Sequence, residues 1–276
     1  MPIVTGFEDT PAGHDALVLG AQLARLTGMR AVVATVYPQD GRGITAVARD
    51  PRWRERTETI ARERFAQARA YLDAHSNASA EPEFRWLGPA SAHTALADHA
   101  DEVGAAFLVV GSTGHGLAGR LAPGGTVQRL LPTATCPIAV APRGHRHFAT
   151  VGLTAVSVAY DGSQEADRAA AVAAGLARRS GAALRFVAVA EAPEQRPAAE
   201  AAVLRGLACA PVEIDALADV VDGPVAPTLA NLPERTDLLV IGSRGYRFMR
   251  RVLLGGIVGA LVRAAHYPVV VVPGGV

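Results

Sequence analysis

Short apolar runs alternate with alanine-rich stretches of helical periodicity along the whole chain. In the first half an apolar start ends in TGFEDT (residues 5–10), a helical pattern covers about residues 12–26, and Gly28 follows it as a C-terminal cap. The next apolar run, AVVATVY (residues 31–37), predicts a strand. Strands that alternate with helices predict a parallel sheet with helices on both faces, and such sheets bind ligands at the carboxyl ends of their strands.

The second half repeats this order of elements. VAYDGS (residues 158–163) ends its first apolar run, and a helical pattern follows over about residues 165–179. Gly181 caps that helix, and ALRFVAVA (residues 183–190) predicts the next strand. The two halves therefore predict the same series of elements.

The third strand of each half is less regular. We predict it within FRWLGP (residues 84–89) in the first half and within VEIDALA (residues 212–218) in the second. Between its first strand and its fourth, the first half is 22 residues longer than the second. We therefore predict an insertion within residues 38–56.

The end of the fourth strand carries the clearest repeat. VVGSTG (residues 109–114) and VIGSRG (residues 240–245) are offset by 131 residues, and we call residues 111–114 and 242–245 the glycine corners. The same offset relates a second glycine pair and a proline, namely Gly124-Gly125 to Gly255-Gly256 and Pro137 to Pro268. A period of this length is that of a whole domain, so we predict two tandem domains, residues 1–146 and 147–276.

Composition narrows the classes of protein. Half of the residues are hydrophobic and the formal net charge is +1, which disfavours a nucleic-acid binder. No apolar segment reaches the roughly 18 residues of a membrane helix, and no basic start precedes a long apolar run, so we expect a cytoplasmic protein that does not bind membranes. The two cysteines, Cys136 and Cys209, lie in different halves, too few for a disulfide framework.

The chain contains no lysine, since all 27 basic residues are arginine. A Walker-type phosphate loop and a lysine Schiff base are therefore excluded. A phosphate site would have to use backbone N–H groups instead.

The glycine corners suit such a site. Glycine lets the backbone approach a ligand closely, and the second glycine pair precedes a helix predicted at about residues 257–265. Free N–H groups and the dipole at a helix start favour an anion. The alternative interpretation is that these glycines only permit tight turns between strand and helix.

The glycine spacing G-x2-G-x9-G after a fourth strand, together with YDGS (residues 160–163) and YPVVVVP (residues 267–273), resembles the universal stress protein family. The resemblance covers the whole chain as two copies. It implies an α/β fold of two tandem five-stranded parallel-sheet domains of the adenine-nucleotide alpha-hydrolase-like (Rossmann-like) type. Many members of that family bind ATP, which implies ATP with Mg²⁺ as the ligand here.

The resemblance also implies which residues of the second half would contact a nucleotide. Asp161 matches an aspartate that faces the adenosine, and Val187 or Val189 lies where backbone groups meet the adenine. Gly256 stands where the family usually has Ser or Thr, and Ile257 supplies no hydroxyl either. The corner itself and its neighbours complete the set: Gly242, Ser243, Arg244, Gly245 and Gly255.

The first half matches less well. Glu8 replaces the aspartate and is one methylene longer, and Gly125 again replaces the hydroxyl residue, for which Thr126 could partly substitute. The remaining matches are Gly111, Ser112, Gly114 and Gly124. We expect the second half to be the better site.

The expected function is a regulatory or stress-response module that binds ATP and is not an efficient enzyme. Two alternatives stay open, a stress protein that works through protein contacts without nucleotide, and a slow ATPase. The resemblance implies that the apolar last strands, IAVAP (residues 138–142) and VVVVP (residues 269–273), lie at sheet edges and pair between protomers. In a tandem chain we therefore expect an intramolecular pseudo-dimer of the two domains, and a homodimer of two chains remains plausible.

Overall fold

A computed structural model describes residues 1–36, 51–75, 81–88, 90–112, 125–148, 152–232, 236–243 and 256–274. Its contacts divide the chain into two compact units. The first unit contains Met1–Cys136 and Arg143–Thr150, and the second contains Pro137–Pro142 and Val151–Val276. The last strand of the first repeat is thus counted with the second unit.

The first unit is built from four parallel strands and the helices that connect them. In chain order the elements are β1 (Ile3–Gly6), α1 (Pro11–Thr27), β2 (Ala31–Val36), α2 (Pro51–His75), β3 (Glu83–Leu87), α3 (Ala92–Glu102), β4 (Phe107–Gly111), α4 (Thr126–Leu130) and a 3-10 helix (His145–Phe148). The strand order is β3-β2-β1-β4. Because the order reverses at β1, the carboxyl ends of β1, β2 and β4 flank a crevice at the edge of the sheet.

The second unit repeats this plan. Its elements are β5 (Ile138–Ala141), β6 (Ala155–Ala159), α5 (Gln164–Ser180), β7 (Ala183–Ala190), a 3-10 helix (Pro193–Gln195), α6 (Arg196–Ala208), β8 (Ala216–Asp222), α7 (Val225–Ala230), β9 (Leu238–Gly242), α8 (Ile257–Ala264) and β10 (Val269–Val272). The strand order is β5-β10-β9-β6-β7-β8. Five of these strands are parallel, and β5 pairs antiparallel with β10.

The first helix of each unit begins and ends where the sequence predicts. The hydroxyl of Thr10 accepts a hydrogen bond from the N–H of Gly13 (3.1 Å), and that of Ser163 accepts from Ala166 (3.2 Å). These are N-cap bonds, which satisfy N–H groups that have no partner inside the helix. Gly28 and Gly181 end the two helices in the left-handed conformation, with φ of 65° and 71°.

The predicted position of the third strand in the second unit was wrong. Val212 is fully exposed, and the N–H of Ile214 donates to the carbonyl of Pro211 (3.1 Å), so this part of the predicted strand is a turn. The strand β8 begins at Ala216, because its ends follow from pairing with β7 along Leu184–Ala190.

The greater length of the first repeat lies partly in a helix. The helix α2 has 25 residues, whereas its counterpart α6 has 13. Residues 37–50, which hold much of the predicted insertion, are outside the described part of the chain. None of the described helices combines the length and the hydropathy that crossing a lipid bilayer requires.

A buried carboxylate attaches the 3-10 helix of the first unit to α1. Asp15 is 1% exposed and accepts hydrogen bonds from the N–H of Gly144 (3.0 Å) and from the N–H and guanidinium of Arg146 (2.9 and 3.1 Å). About two turns further along α1, the amide oxygen of Gln22 bonds to the ring of His145 (2.6 Å). The domain boundary predicted after residue 146 therefore falls inside a segment that packs on the first unit.

Candidate functional site

In the second unit, β7 continues beyond the end of its neighbour β6, so the last residues of β7 have no β6 residue opposite them. The N–H of Tyr160 donates to the carbonyl of Val187 (2.8 Å), and the N–H of Gly223 donates to the carbonyl of Ala190 (3.0 Å). Backbone groups of successive strand residues point to alternate sides. The N–H and C=O of Val189 therefore point to the β6 side, one step beyond the last bond to β6.

Neither the N–H nor the C=O of Val189 has a hydrogen-bond partner among the described residues, because residues of β7 that bond to β8 alternate with Val189. One residue thus presents an adjacent donor and acceptor at the carboxyl edge of the sheet. Val187, the alternative predicted from the sequence, has its carbonyl bonded to Tyr160. Of the two predicted valines, Val189 is the one placed to receive a ligand through its backbone.

Asp161 lies directly after Tyr160 in the loop that the Val189 groups face. Its carboxylate accepts a hydrogen bond from the N–H of Ser163 (3.0 Å), which shapes the turn into α5. The guanidinium of Arg205, on α6, donates to the carbonyl of Gly162 (2.8 Å). The hydrogen bonds from Ser163 and Arg205 therefore fix the conformation of the loop, in which Asp161 is half-buried.

Tyr160 anchors this loop from beneath. Its ring is buried against Phe186, with ring centroids 5.4 Å apart, and its O–H donates to the carboxylate of Asp167 (2.5 Å). Burial, and then the bond to Asp167, raise the pKa of the Tyr160 phenol, so it stays protonated as a donor at neutral pH.

At the end of β9, Gly242 and Ser243 are mainly engaged within the protein. A Cβ atom on Gly242 would lie 3.0 Å from the carbonyl oxygen and the Cβ of Glu165, in the first turn of α5. The N–H of Ser243 donates to Val272 (2.8 Å), and its hydroxyl accepts from the N–H of Gly274 (2.9 Å). Ser243 was predicted as a ligand contact without deciding between its N–H and its hydroxyl. Since the N–H is bonded to β10, the hydroxyl, which retains a proton to donate, is the group that could contact a ligand.

The start of α8 offers N–H groups to an anion. Gly256 is the N-cap residue, and no side chain of the described residues caps the helix there. Its carbonyl accepts the first helical bond, from Ala260 (3.0 Å), and Ile257 opens the helix. The N–H groups of the first turn and the positive end of the helix dipole favour an anion at this position. The predicted contacts Arg244, Gly245 and Gly255 lie outside the described residues.

The first unit has the same backbone arrangement, but an arginine occupies it. The N–H of Phe7 donates to Ala34 (2.8 Å), which makes Val36 the counterpart of Val189. The guanidinium of Arg64, from α2, donates to the Val36 carbonyl (3.5 Å) and to the Thr35 hydroxyl (3.3 Å).

Arg64 also approaches the residue that replaces the aspartate. Its guanidinium lies 3.9 Å from the carboxylate of Glu8, and its side chain is 21% exposed. Arg64 thus links the Val36 carbonyl to the Glu8 carboxylate at this edge of the sheet. Neither Arg64 nor Val36 was predicted from the sequence, although the offset of 153 residues that aligns Glu8 with Asp161 also aligns Val36 with Val189.

Of the remaining predicted residues of the first unit, Gly111 has a role in packing. A Cβ atom on Gly111 would overlap the carbonyl oxygen of Ala12 in α1, so strand and helix require glycine there. Gly125 is the N-cap residue of α4, which starts at Thr126 and has only five residues. Ser112 follows Gly111 and is half-buried, while Gly114 and Gly124 lie outside the described residues.

Two α/β units with the same strand order, repeated glycine corners and a polar edge at the carboxyl ends of their strands define a tandem Rossmann-like protein. The universal stress protein family model matches residues 1–142 and again residues 153–273. The chain belongs to the universal stress protein family.

The chain is also similar to known relatives and solved structures. A universal stress protein of Mycobacterium tuberculosis is 27% identical over 99% of this chain and 100% of its own length. The crystal structure of a universal stress protein from Archaeoglobus fulgidus covers 99% of this chain and 96% of its own, at 17% identity and a TM-score of 0.69. A universal stress protein solved in complex with cAMP covers 52% of this chain and 98% of its own, at 25% identity and a TM-score of 0.38.

Proposed function

We propose that the second unit binds an adenine nucleotide, ATP with Mg²⁺, and that the protein acts as a regulatory module in a stress response. The observation that carries this proposal is the backbone of Val189, whose N–H and C=O face the Asp161 loop beyond the end of β6. Adenine presents an amino donor next to a ring-nitrogen acceptor, which complements such a pair.

The phosphates would lie toward α8. The uncapped helix start at Gly256 and Ile257 supplies N–H groups and a favourable dipole, with no need for lysine. Glycine in place of Ser or Thr removes one hydroxyl donor to a charged oxygen. A bond of that kind is worth about 1.5–3 kcal/mol, so we expect affinity roughly ten- to a hundredfold weaker than with the hydroxyl.

We assign binding to this site and not efficient catalysis. The residues at the described edge bind and orient a nucleotide, whereas phosphoryl transfer also needs a group that positions the attacking nucleophile. A slow ATPase is the alternative, and phosphate release above that of an Asp161→Ala variant would favour it.

We also propose that the two repeats act as an intramolecular pseudo-dimer. The antiparallel pairing of their last strands, with Val270 opposite Ala139, supports this proposal. The second alternative to the proposed function is a stress protein that binds no nucleotide and acts through protein–protein contacts. Assembly of two chains into a homodimer is compatible with either function.

Nucleotide content of the purified protein tests the proposal. Denatured protein should release an adenine nucleotide, identified by mass and absorbance, or else millimolar ATP should raise the melting temperature. Gly245→Val and Asp161→Ala should each abolish the shift. Absence of released nucleotide together with an unchanged melting temperature in ATP would contradict the proposal and favour function through protein contacts.

A further inference from the structure

The segment between the two repeats is attached to the first unit by buried polar contacts. We call residues 143–148 the connector, and most of it is the 3-10 helix His145–Phe148. The chain enters the connector from β5 and leaves it toward β6, two strands that belong to the second unit, whereas the connector itself is counted with the first. Its 3-10 helix packs on α1, so side chains of α1 decide whether it stays in place.

Asp15 of α1 makes the charged contact. Its carboxylate is 1% exposed and accepts hydrogen bonds from the N–H groups of Gly144 and Arg146 and from the guanidinium of Arg146. A buried carboxylate is costly unless it is paired and hydrogen-bonded. All of these donors belong to the connector, so Asp15 keeps its partners only while the connector lies on α1.

Gln22 of α1 makes the second contact. Its amide nitrogen donates to the carbonyl of Phe148 (2.6 Å), and its amide oxygen bonds to Nε2 of His145 (2.6 Å). Because the amide oxygen can only accept, Nε2 of His145 carries a proton in this contact. Among the described residues the ring makes this one hydrogen bond, and His145 is 8% exposed. The contact therefore suits the neutral ring.

A second proton on the ring would place a positive charge in this buried position. Burial lowers the pKa of His145 to about 4 from its ordinary 6.5, and the charge of Asp15 opposes this with a smaller effect. The other ionisable side chains on the connector, on α1 and on the adjoining part of α2 are Arg143, Arg146, His147, His14, Arg25 and Tyr71. Among all of these groups, Asp15 is the one whose charge acts on the pKa of His145.

The two side chains that hold the connector are absent from the second unit. The offset of 153 residues places Arg168 at the position of Asp15 and Gly175 at that of Gln22. Neither residue has a side chain that can accept a hydrogen bond. The plan that the two units share therefore does not need Asp15 and Gln22, and their contacts serve the connector.

We propose that the connector is an acid-sensitive switch. At neutral pH residues 143–148 are held on α1, and protonation of the His145 ring releases them while the strands of the first unit stay folded. The switch is separate from the proposed nucleotide site, and its test requires no nucleotide.

Hydrogen exchange at individual amides measures the release. The N–H groups of Gly144, Arg146 and His147 are hydrogen-bonded in the held connector, so they exchange when it opens. The pKa of His145 is about 4 in the held connector and returns to its ordinary 6.5 on release, so opening should become about thirtyfold more frequent between pH 7.5 and 5. The protection factors of these three amides, corrected for the intrinsic pH dependence of exchange, should fall by that factor.

Low concentrations of urea distinguish release of the connector from unfolding. Opening of this short segment exposes little surface, so exchange at its amides should hardly change with urea. Exchange at Val4, which is fully buried in β1, should rise steeply. If the connector amides and Val4 show the same urea dependence at pH 5, the connector leaves α1 only when the unit unfolds, and the proposal is wrong.

Variants test the assignment to His145. His145→Gln has no titratable ring, so protection of the connector amides should no longer depend on pH, whereas the matched control His147→Gln, at an exposed position of the same 3-10 helix, should keep the thirtyfold fall. Asp15→Asn should lower protection about tenfold at every pH, because Arg146 loses its charged partner, with Val4 as the internal reference for folding. Protection that does not fall with pH in the unmodified protein, or that still falls in His145→Gln, would overturn the proposal.

Discussion

The two units differ most at the end of their second strand. In the first, Arg64 bonds to the Val36 carbonyl and approaches Glu8; in the second, Arg205 bonds to Gly162 and leaves the backbone groups of Val189 facing the Asp161 loop. The glycine corners are nearly identical in sequence, yet among the described residues it is the edge of the second unit that leaves both the N–H and the C=O of the strand-end residue without a side-chain partner. A repeated motif therefore does not imply a repeated site, because a side chain from another element decides access.

The largest expected difference concerns the first glycine of each corner. Gly111→Ala places a Cβ atom on the Ala12 carbonyl, so we expect a loss of about 3 kcal/mol in the free energy of unfolding. Gly242→Ala meets atoms at 3.0 Å, where a small shift suffices, and should cost about 1 kcal/mol. Urea denaturation measures both. Gly88→Ala, where a Cβ atom meets nothing within 4 Å, is the neutral control, and equal losses at Gly111 and Gly242 would refute the comparison.

The second expected difference is in how the free energy of unfolding depends on pH, and we expect this dependence to arise in the first unit. Burial lowers the pKa of His145 to about 4 from its ordinary 6.5, against a smaller opposing effect of Asp15. The unfolded chain therefore takes up this proton first, and stability falls as the pH drops from about 6.5 toward 4. At pH 5 the loss is about 2 kcal/mol relative to pH 7.5.

Denaturation of a His145→Gln variant across this range checks the assignment. Glutamine keeps an amide that can reach Gln22 but does not titrate, so the part of the pH dependence due to His145 should disappear. His147→Gln changes an exposed histidine two residues away and should leave the dependence intact. An unchanged profile in His145→Gln would show that another group is responsible.

Removing Arg64 should make the units more alike. Arg64→Ala frees the Val36 carbonyl, so we expect the first unit to gain nucleotide affinity of about tenfold, the worth of one charge-assisted hydrogen bond. Calorimetric titration with ATP should then detect a second, weaker site. Arg69→Ala, on the same helix but paired with Glu81, is the matched control. A binding stoichiometry that Arg64→Ala leaves unchanged would mean that Arg64 does not block the site.

The smallest expected effect is one that the two units share. Gly28 and Gly181 end their helices with nearly the same positive φ, and a Cβ atom at either meets nothing within 4 Å. Alanine at each position should cost about 1 kcal/mol through backbone strain alone. Unequal losses in urea denaturation would show that packing around the two caps differs.

The sequence predicted those features whose causes are local. The limits of α1 and α5 follow from Thr10, Ser163 and the glycine caps, and the start of α8 at Ile257 follows from the glycine pair before it. The start of β8 could not be predicted in this way, because pairing with β7 and not local composition decides where it begins.

The candidate site was predictable only in outline. The motifs placed Asp161 after the first strand of the second unit and Gly256 at the start of α8. The choice between Val187 and Val189, however, depends on which side of β7 each backbone group faces. Arg64 could not be found by comparing the repeats, since it lies on a helix that is 12 residues longer than its counterpart. The hydrogen bond from the Ser243 N–H to Val272 of β10 could likewise not be predicted, because it depends on the pairing of β9 with β10.

Counting nucleotides per chain by native mass spectrometry tests the central claim most directly. With ATP present, the unmodified protein should carry one nucleotide, Asp161→Ala should carry none, and Glu8→Ala should still carry one. Two nucleotides per unmodified chain, or a loss caused by Glu8→Ala and not by Asp161→Ala, would contradict the assignment of binding to the second unit.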